Sequence, residues 1–160
     1  MLDINQQLRG QLIPLRNMKL VLPNTCIAEV LGASEIQPTA AGPAWFLGTL
    51  PWRGRQIPII SFEALSGGTC HELTGKSRIA VLNCLNGNPL MPFYGMAIQG
   101  VPHLVTLNTT NINSVTCPDV SNDMALQQVM IGEQTALIPN LEKLEALVQQ
   151  SQAGKPAPQR

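Results

Sequence analysis

Residues 79–118 run for forty positions without a lysine, arginine, aspartate or glutamate. No other feature restricts the fold so strongly. A solvated loop of that length would carry charge, so the stretch reads as apolar extended segments over 78–85, 89–98 and 101–107, broken by turn signals at Asn86-Gly87-Asn88-Pro89 and at Gly100. Two readings account for it. The segments are strands buried on both faces of a barrel or sandwich, or they form an uncharged face that a partner covers. His103, flanked by Pro102 and Leu104, is expected to be a buried or half-buried imidazole bonded to backbone.

The whole chain is poor in charge. Charged residues make up 12% of its 160 positions, against ~25% in soluble domains. Ten basic and ten acidic residues cancel, so neither the polyanion attraction of a nucleic-acid binder nor a pull toward anionic lipid is expected. No apolar run reaches the ~18 residues of a membrane span, and the N-terminus lacks a signal-peptide layout, which predicts a cytoplasmic protein without direct membrane insertion. Cys26, Cys70, Cys84 and Cys117 lie far apart with no C-x-x-C pair, the pattern of free thiols.

Elsewhere the pattern is also extended. Short strands are expected over 8–15 and 19–22, then a third piece over 25–31 in which Glu29 stands between Ile27 and Val30, either solvated or beside an apolar contact patch. Residues 32–42 form a small-residue connection. Residues 42–63 then read as a hairpin with apolar arms, Trp45, Phe46, Leu47 and Leu50 before the turn and Ile57, Ile59 and Ile60 after it. Its turn, Arg53-Gly54-Arg55, sets two guanidinium groups around a residue free to take positive φ. Such a turn suits docking. Residues 111–123 read as a polar connection, and 127–131 with 134–138 frame Gly132-Glu133 as a last hairpin. Asn140 can cap one helix, whose Leu141, Leu144, Leu147 and Val148 form a single stripe while Glu142 and Glu145 favour its N-terminal half. Nine or ten strands and one helix make the chain mainly β, with residues 1–148 as the domain and 149–160 as a flexible tail.

Catalytic motifs fail on spacing. Thr74-Gly75-Lys76-Ser77 resembles the end of a phosphate-binding loop, but Cys70 stands where the first glycine belongs, and the following residues read as strand rather than helix. Cys70-His71 lacks the paired ligands of a zinc site and the oriented base of a thiolate nucleophile. Between Ile36 and Pro118 the carboxylates are Glu63 and Glu72, too few for paired acid/base chemistry. No catalytic residue, metal or cofactor is expected. One reading the residues leave open is a β barrel that binds a small molecule or peptide through the uncharged stretch.

Several separated motifs resemble the CheW-like adaptor domain of bacterial chemosensory systems. Pro23-Asn24-Thr25-Cys26-Ile27-Ala28-Glu29-Val30 is similar to the family's P-V-x-x-V-x-E-V stretch, and Gly42-Pro43-Ala44-Trp45-Phe46-Leu47-Gly48 to its P-x-x-x-x-G approach. Trp52-Arg53-Gly54-Arg55-Gln56-Ile57-Pro58-Ile59-Ile60 is similar to its L-R-G-x-x-x-P-V-V signature, and Thr135 to Leu144 to its closing strand and helix. The likeness covers about residues 8–148.

The resemblance implies two SH3-like five-stranded β barrels around a shared core. It also implies a non-enzymatic scaffold that joins the cytoplasmic tip of a methyl-accepting chemoreceptor to the regulatory domain of a CheA-type histidine kinase, recruited to membrane-associated receptor arrays. Carried over by position, Ile27, Glu29 and Val30 would lie in the partner patch, Gly48 would permit close packing beside it, and Arg53-Gly54 would form the coupling turn. Trp52 would be an interface anchor or a core residue of the hairpin. The family has Asn-Leu where this chain has Pro51-Trp52, and often Asp-Leu where it has Ser61-Phe62, differences that bear on receptor choice. An auxiliary, stand-alone adaptor of a type IV pilus or twitching-motility system is the expected setting.

Overall fold

The computed structural model describes residues 8–16, 18–33, 36–38, 42–66, 73–85, 91–107, 112–115 and 125–153. Among them, twelve strands form two six-stranded sheets. The first sheet contains β1 (Leu8–Pro14), β2 (Lys19–Pro23), β9 (His103–Leu107), β10 (Ile112–Val115), β11 (Ala125–Ile131) and β12 (Gln134–Pro139), in the order β10-β11-β12-β2-β1-β9. A parallel pairing of Leu137 with Leu20 joins its C-terminal hairpin to its N-terminal one. The second contains β3 (Ile27–Gly32), β4 (Gln37–Pro38), β5 (Phe46–Trp52), β6 (Arg55–Ile60), β7 (Arg78–Asn83) and β8 (Phe93–Ile98), in the order β3-β7-β8-β6-β5-β4.

Each sheet curls onto itself. Leu107 and Val105 of the edge strand β9 pack with Val129 and Ile131 of β11, near the opposite edge. In the second sheet, Ala28 and Leu31 of the edge strand β3 share a cluster with Leu50 and Trp52 of β5. Two register shifts, between Ile27 and Glu29 and between Phe46 and Gly48, supply bends of the kind that barrel closure needs. The short strands β4 and β10 give each barrel one strand more than the five implied by resemblance.

A third and largest cluster lies between the barrels. Ile13, Leu20 and Leu22 of the first meet Ile60, Leu82, Tyr94 and Met96 of the second, and Leu144 and Val148 of α2 (Leu141–Ala153) close over them. The uncharged stretch is explained where it forms β7 and β8: Ile79 and Val81 fill the second barrel while Ala80 and Leu82 face the shared core. Both faces are buried, so both must be apolar. β9 behaves differently. His103, expected to be buried or half-buried, is exposed at the first position of β9, an edge strand, and Leu104, on the face opposite Val105 and Leu107, is 61% exposed.

Four other elements depart from expectation. A one-turn helix, α1 (Phe62–Leu65), interrupts the end of the hairpin, capped by the Ser61 hydroxyl, which accepts the Ala64 N–H at 3.3 Å. β4 and β10 fall in segments read as connections. The closing helix starts as expected, with Asn140 Oδ1 accepting the Lys143 N–H at 3.2 Å, but it continues past Val148 to Ala153. The rest of the expected tail, and Cys70, His71 and Cys117, lie outside the described residues.

Candidate partner-binding site

The hairpin of β5 and β6 pairs Trp52 with Arg55 across a two-residue turn. Both central residues take positive φ, 48° at Arg53 and 77° at Gly54, the type I′ form whose twist matches that of the flanking strands. Gly54 adopts this conformation without a steric penalty; Arg53 is the one described non-glycine residue with positive φ. Two contacts define where its side chain goes, one to Trp52 and one to Glu29.

Trp52 is 6% exposed and lies edge-to-face on Phe93, with ring centroids 4.8 Å apart. It is a core residue of the hairpin. Its indole N–H donates to Glu29 Oε1 at 3.0 Å. The Arg53 guanidinium carbon sits 4.5 Å from the centroid of the same indole, and Nη2 lies 3.5 Å from the same Glu29 oxygen. Side-chain exposure is 68% for Arg53 and 41% for Glu29. Magnitudes rank the contacts: a hydrogen bond to a charged group is worth ~1.5–3 kcal/mol, an exposed cation–π contact ~0.5–1 kcal/mol, and a long exposed ion pair ~0–1 kcal/mol. The indole therefore holds the carboxylate more firmly than the guanidinium does.

The register shift in β3 places the three motif residues on different faces. Ile27 and Val30 pack half-buried against the shared core, whereas Glu29 turns toward Trp52 and the second barrel. Gly48 sits apart from this trio. Its φ is 145°, and a Cβ there would overlap the Gln37 carbonyl oxygen, so glycine is what lets β4 pair against β5 at Pro38 and Gly48. The Ser61-Phe62 departure proves chemically mild. Serine caps α1 as aspartate would, and Phe62 is 1% exposed in the shared core.

Two further carboxylates organise the fold. Glu145, 1% exposed on α2, accepts the Leu85 N–H on both oxygens at 3.0 and 2.9 Å, which ties the helix to the chain leaving β7. Burial first, and the Glu145 charge second, push the Cys84 thiol up to about 12 and raise Cys26 and Tyr94 in the same direction. Protonated thiols of this kind are poor nucleophiles. Glu63, also buried, accepts the Arg16 N–H at 2.9 Å. Sequence reasoning missed both anchors; the signal for Glu145 was its place one residue after Leu144, on the edge of the apolar stripe. The Thr74-to-Ser77 turn is closed on itself, Ser77 Oγ accepting the Thr74 N–H at 2.9 Å, and it leads into β7 rather than a helix.

Among the described residues, no group of three His, Cys, Asp or Glu side chains is placed to hold a metal, and no helix is long and apolar enough to cross a membrane. The class is thus a mainly β protein of two SH3-like barrels with a shared core and an exposed arginine turn clamped by a carboxylate. Residues 9–148 match the CheW-like domain, and the chain belongs to that family of non-enzymatic scaffold proteins. The crystal structure of the scaffolding protein TtCheW from Thermoanaerobacter tengcongensis is similar, with a TM-score of 0.71 at 16% identity over 85% of this chain and 90% of that one. No curated relative matches the chain by sequence.

Proposed function

We propose that this chain is a chemosensory adaptor that couples the cytoplasmic tip of a methyl-accepting chemoreceptor to the regulatory domain of a CheA-type histidine kinase, without catalysis or cofactor. The observation that carries the reading is the Arg53-Gly54 turn, presented in solvent by a type I′ hairpin beside Glu29 of another strand, within a CheW-like domain. Arg53 is the contact residue. Glu29 and Trp52 shape its presentation, Gly48 and Gly54 permit the backbone that carries it, and half-buried Ile27 and Val30 set the strand from which Glu29 projects. An auxiliary role in a type IV pilus or twitching-motility cluster, at receptor arrays on the cytoplasmic side, is part of the proposal; neighbouring pilus and kinase genes would support it.

Co-purification with the cognate kinase regulatory domain and with a receptor tip tests the coupling. Arg53→Glu should weaken at least one complex by about tenfold or more, equivalent to ~1.4 kcal/mol, while leaving the melting temperature nearly unchanged, as a surface substitution does. Wild-type protein that retains neither partner would sink the idea.

A further inference from the structure

The contacts around Glu29 are unequal, and the inequality has a functional consequence. Oε1 receives the Trp52 indole N–H at 3.0 Å but stands 3.5 Å from Arg53 Nη2, at the long limit of a hydrogen bond. The guanidinium carbon meanwhile lies over the indole, 4.5 Å from its centroid, and the Arg53 side chain remains 68% exposed. A guanidinium over a ring whose side chain stays largely in solvent keeps N–H groups available, and those groups match a carboxylate in a two-bond fork. Arg55, exposed on the other side of the turn, has no ion-pair partner among the described residues. The turn thus carries two exposed guanidinium groups, one of them beside a carboxylate that is already engaged by the indole.

We infer that Trp52 sets what this turn binds: by holding Glu29 through its indole N–H and stacking under Arg53, it keeps the Arg53 fork open for a carboxylate on the surface of the partner protein. Trp52 is a positioning residue, acting through Glu29 and Arg53. A residue without the indole N–H would let Oε1 swing fully onto the guanidinium. The fork would then close internally, and the partner would have to displace it. The inference rests on the adaptor reading for the identity of the partner but not for the internal competition.

The experiment uses the full chain and the cognate kinase regulatory domain, with affinities measured at low and at moderate salt. Wild-type binding should weaken several-fold as salt rises, as a charge-paired contact does. Trp52→Phe, which keeps a ring for Phe93 and Arg53 to pack on, should bind about three- to tenfold more weakly with an unchanged circular-dichroism spectrum. Glu29→Gln should bind at least as well as wild type, and adding it to Trp52→Phe should restore affinity to within about twofold. A merely structural tryptophan would give no such rescue. Unchanged affinity in Trp52→Phe, or a defect that persists in the double variant, overturns the inference.

Should Trp52→Phe fail to fold, Glu29→Gln alone decides, because weaker binding would make Glu29 itself the contact. Lysine substitutions at the acidic surface residues of the kinase domain should include one that restores binding to Arg53→Glu; none doing so overturns the carboxylate assignment. Failure of wild type to bind the kinase domain counts against the adaptor reading, and the internal competition is then read from phenylglyoxal modification of Arg53. That modification should be slower in Trp52→Phe and recover in the double variant, and equal rates throughout would overturn it.

Discussion

Glu29 and Glu145 each tie together elements distant in sequence, yet one belongs to the surface and the other to the core. Glu145 is 1% exposed and commits both oxygens to the Leu85 N–H. Glu29 has a side chain 41% exposed and divides one oxygen between an indole and a guanidinium. Burial accounts for the difference. A carboxylate removed from water must satisfy its oxygens within the protein, which makes its partners fixed architecture. At the barrel rim, water competes for the same oxygens, so partners can be exchanged at low cost and the group can take part in recognition.

The contrast can be broken most severely at the buried end. Glu145→Ala should cost ~2–3 kcal/mol, for a lost charge-assisted hydrogen bond plus a cavity beside α2, and lower the melting temperature by roughly 5–10 °C. Within the hairpin the backbone should matter next: Gly48→Ala should cost ~2 kcal/mol through strain at positive φ and displacement of β4, seen as a lower urea midpoint. Glu29→Ala should cost only ~1 kcal/mol, since water can reach the freed indole N–H. A Glu29→Ala penalty equal to that of Glu145→Ala would erase the distinction.

Alkaline titration probes the buried end through its protons rather than its contacts. Cys84 loses its proton near its ordinary value of 9.0 when unfolded but is held up to about 12 when folded, with Cys26 and Tyr94 raised likewise. The folded state then binds more protons, so stability is full below pH ~9 and falls as pH rises toward ~12. Urea midpoints measured across that window should decline, and Cys84→Ala should make the decline shallower.

Much of this was legible in the sequence. The forty uncharged residues announced strands buried on two faces because β7 and β8 contribute alternate side chains to different cores, and Gly54 announced the turn because glycine takes positive φ without steric cost, whereas the positive φ of Arg53 had no sequence signal. Asn140 likewise marked its helix start. The illegible parts share a cause: their meaning depends on residues distant in sequence. Glu145 looks like a dipole partner until Leu85, sixty positions earlier, is placed against it. His103 looks buried by its neighbours in the chain, but strand order puts β9 at an edge. Ser61 hides a helix cap within a strand-like run, and Trp52 could be assigned to the core only once Phe93 and Glu29 were found around it.

The register shift in β3 has an evolutionary corollary. Ile27 pairs with Leu82 and Glu29 with Val81, so Ala28 is a supernumerary residue, and the inside-outside rhythm of the strand is the same on either side of it. Ile27 and Val30 would face the shared core, and Glu29 the indole, whether or not that residue were present. A strand built this way can gain or lose one residue between its first isoleucine and its glutamate without rotating the carboxylate. Homologues in which that spacing differs by one can therefore keep the same clamp, and alignments of the motif should allow a single gap at Ala28.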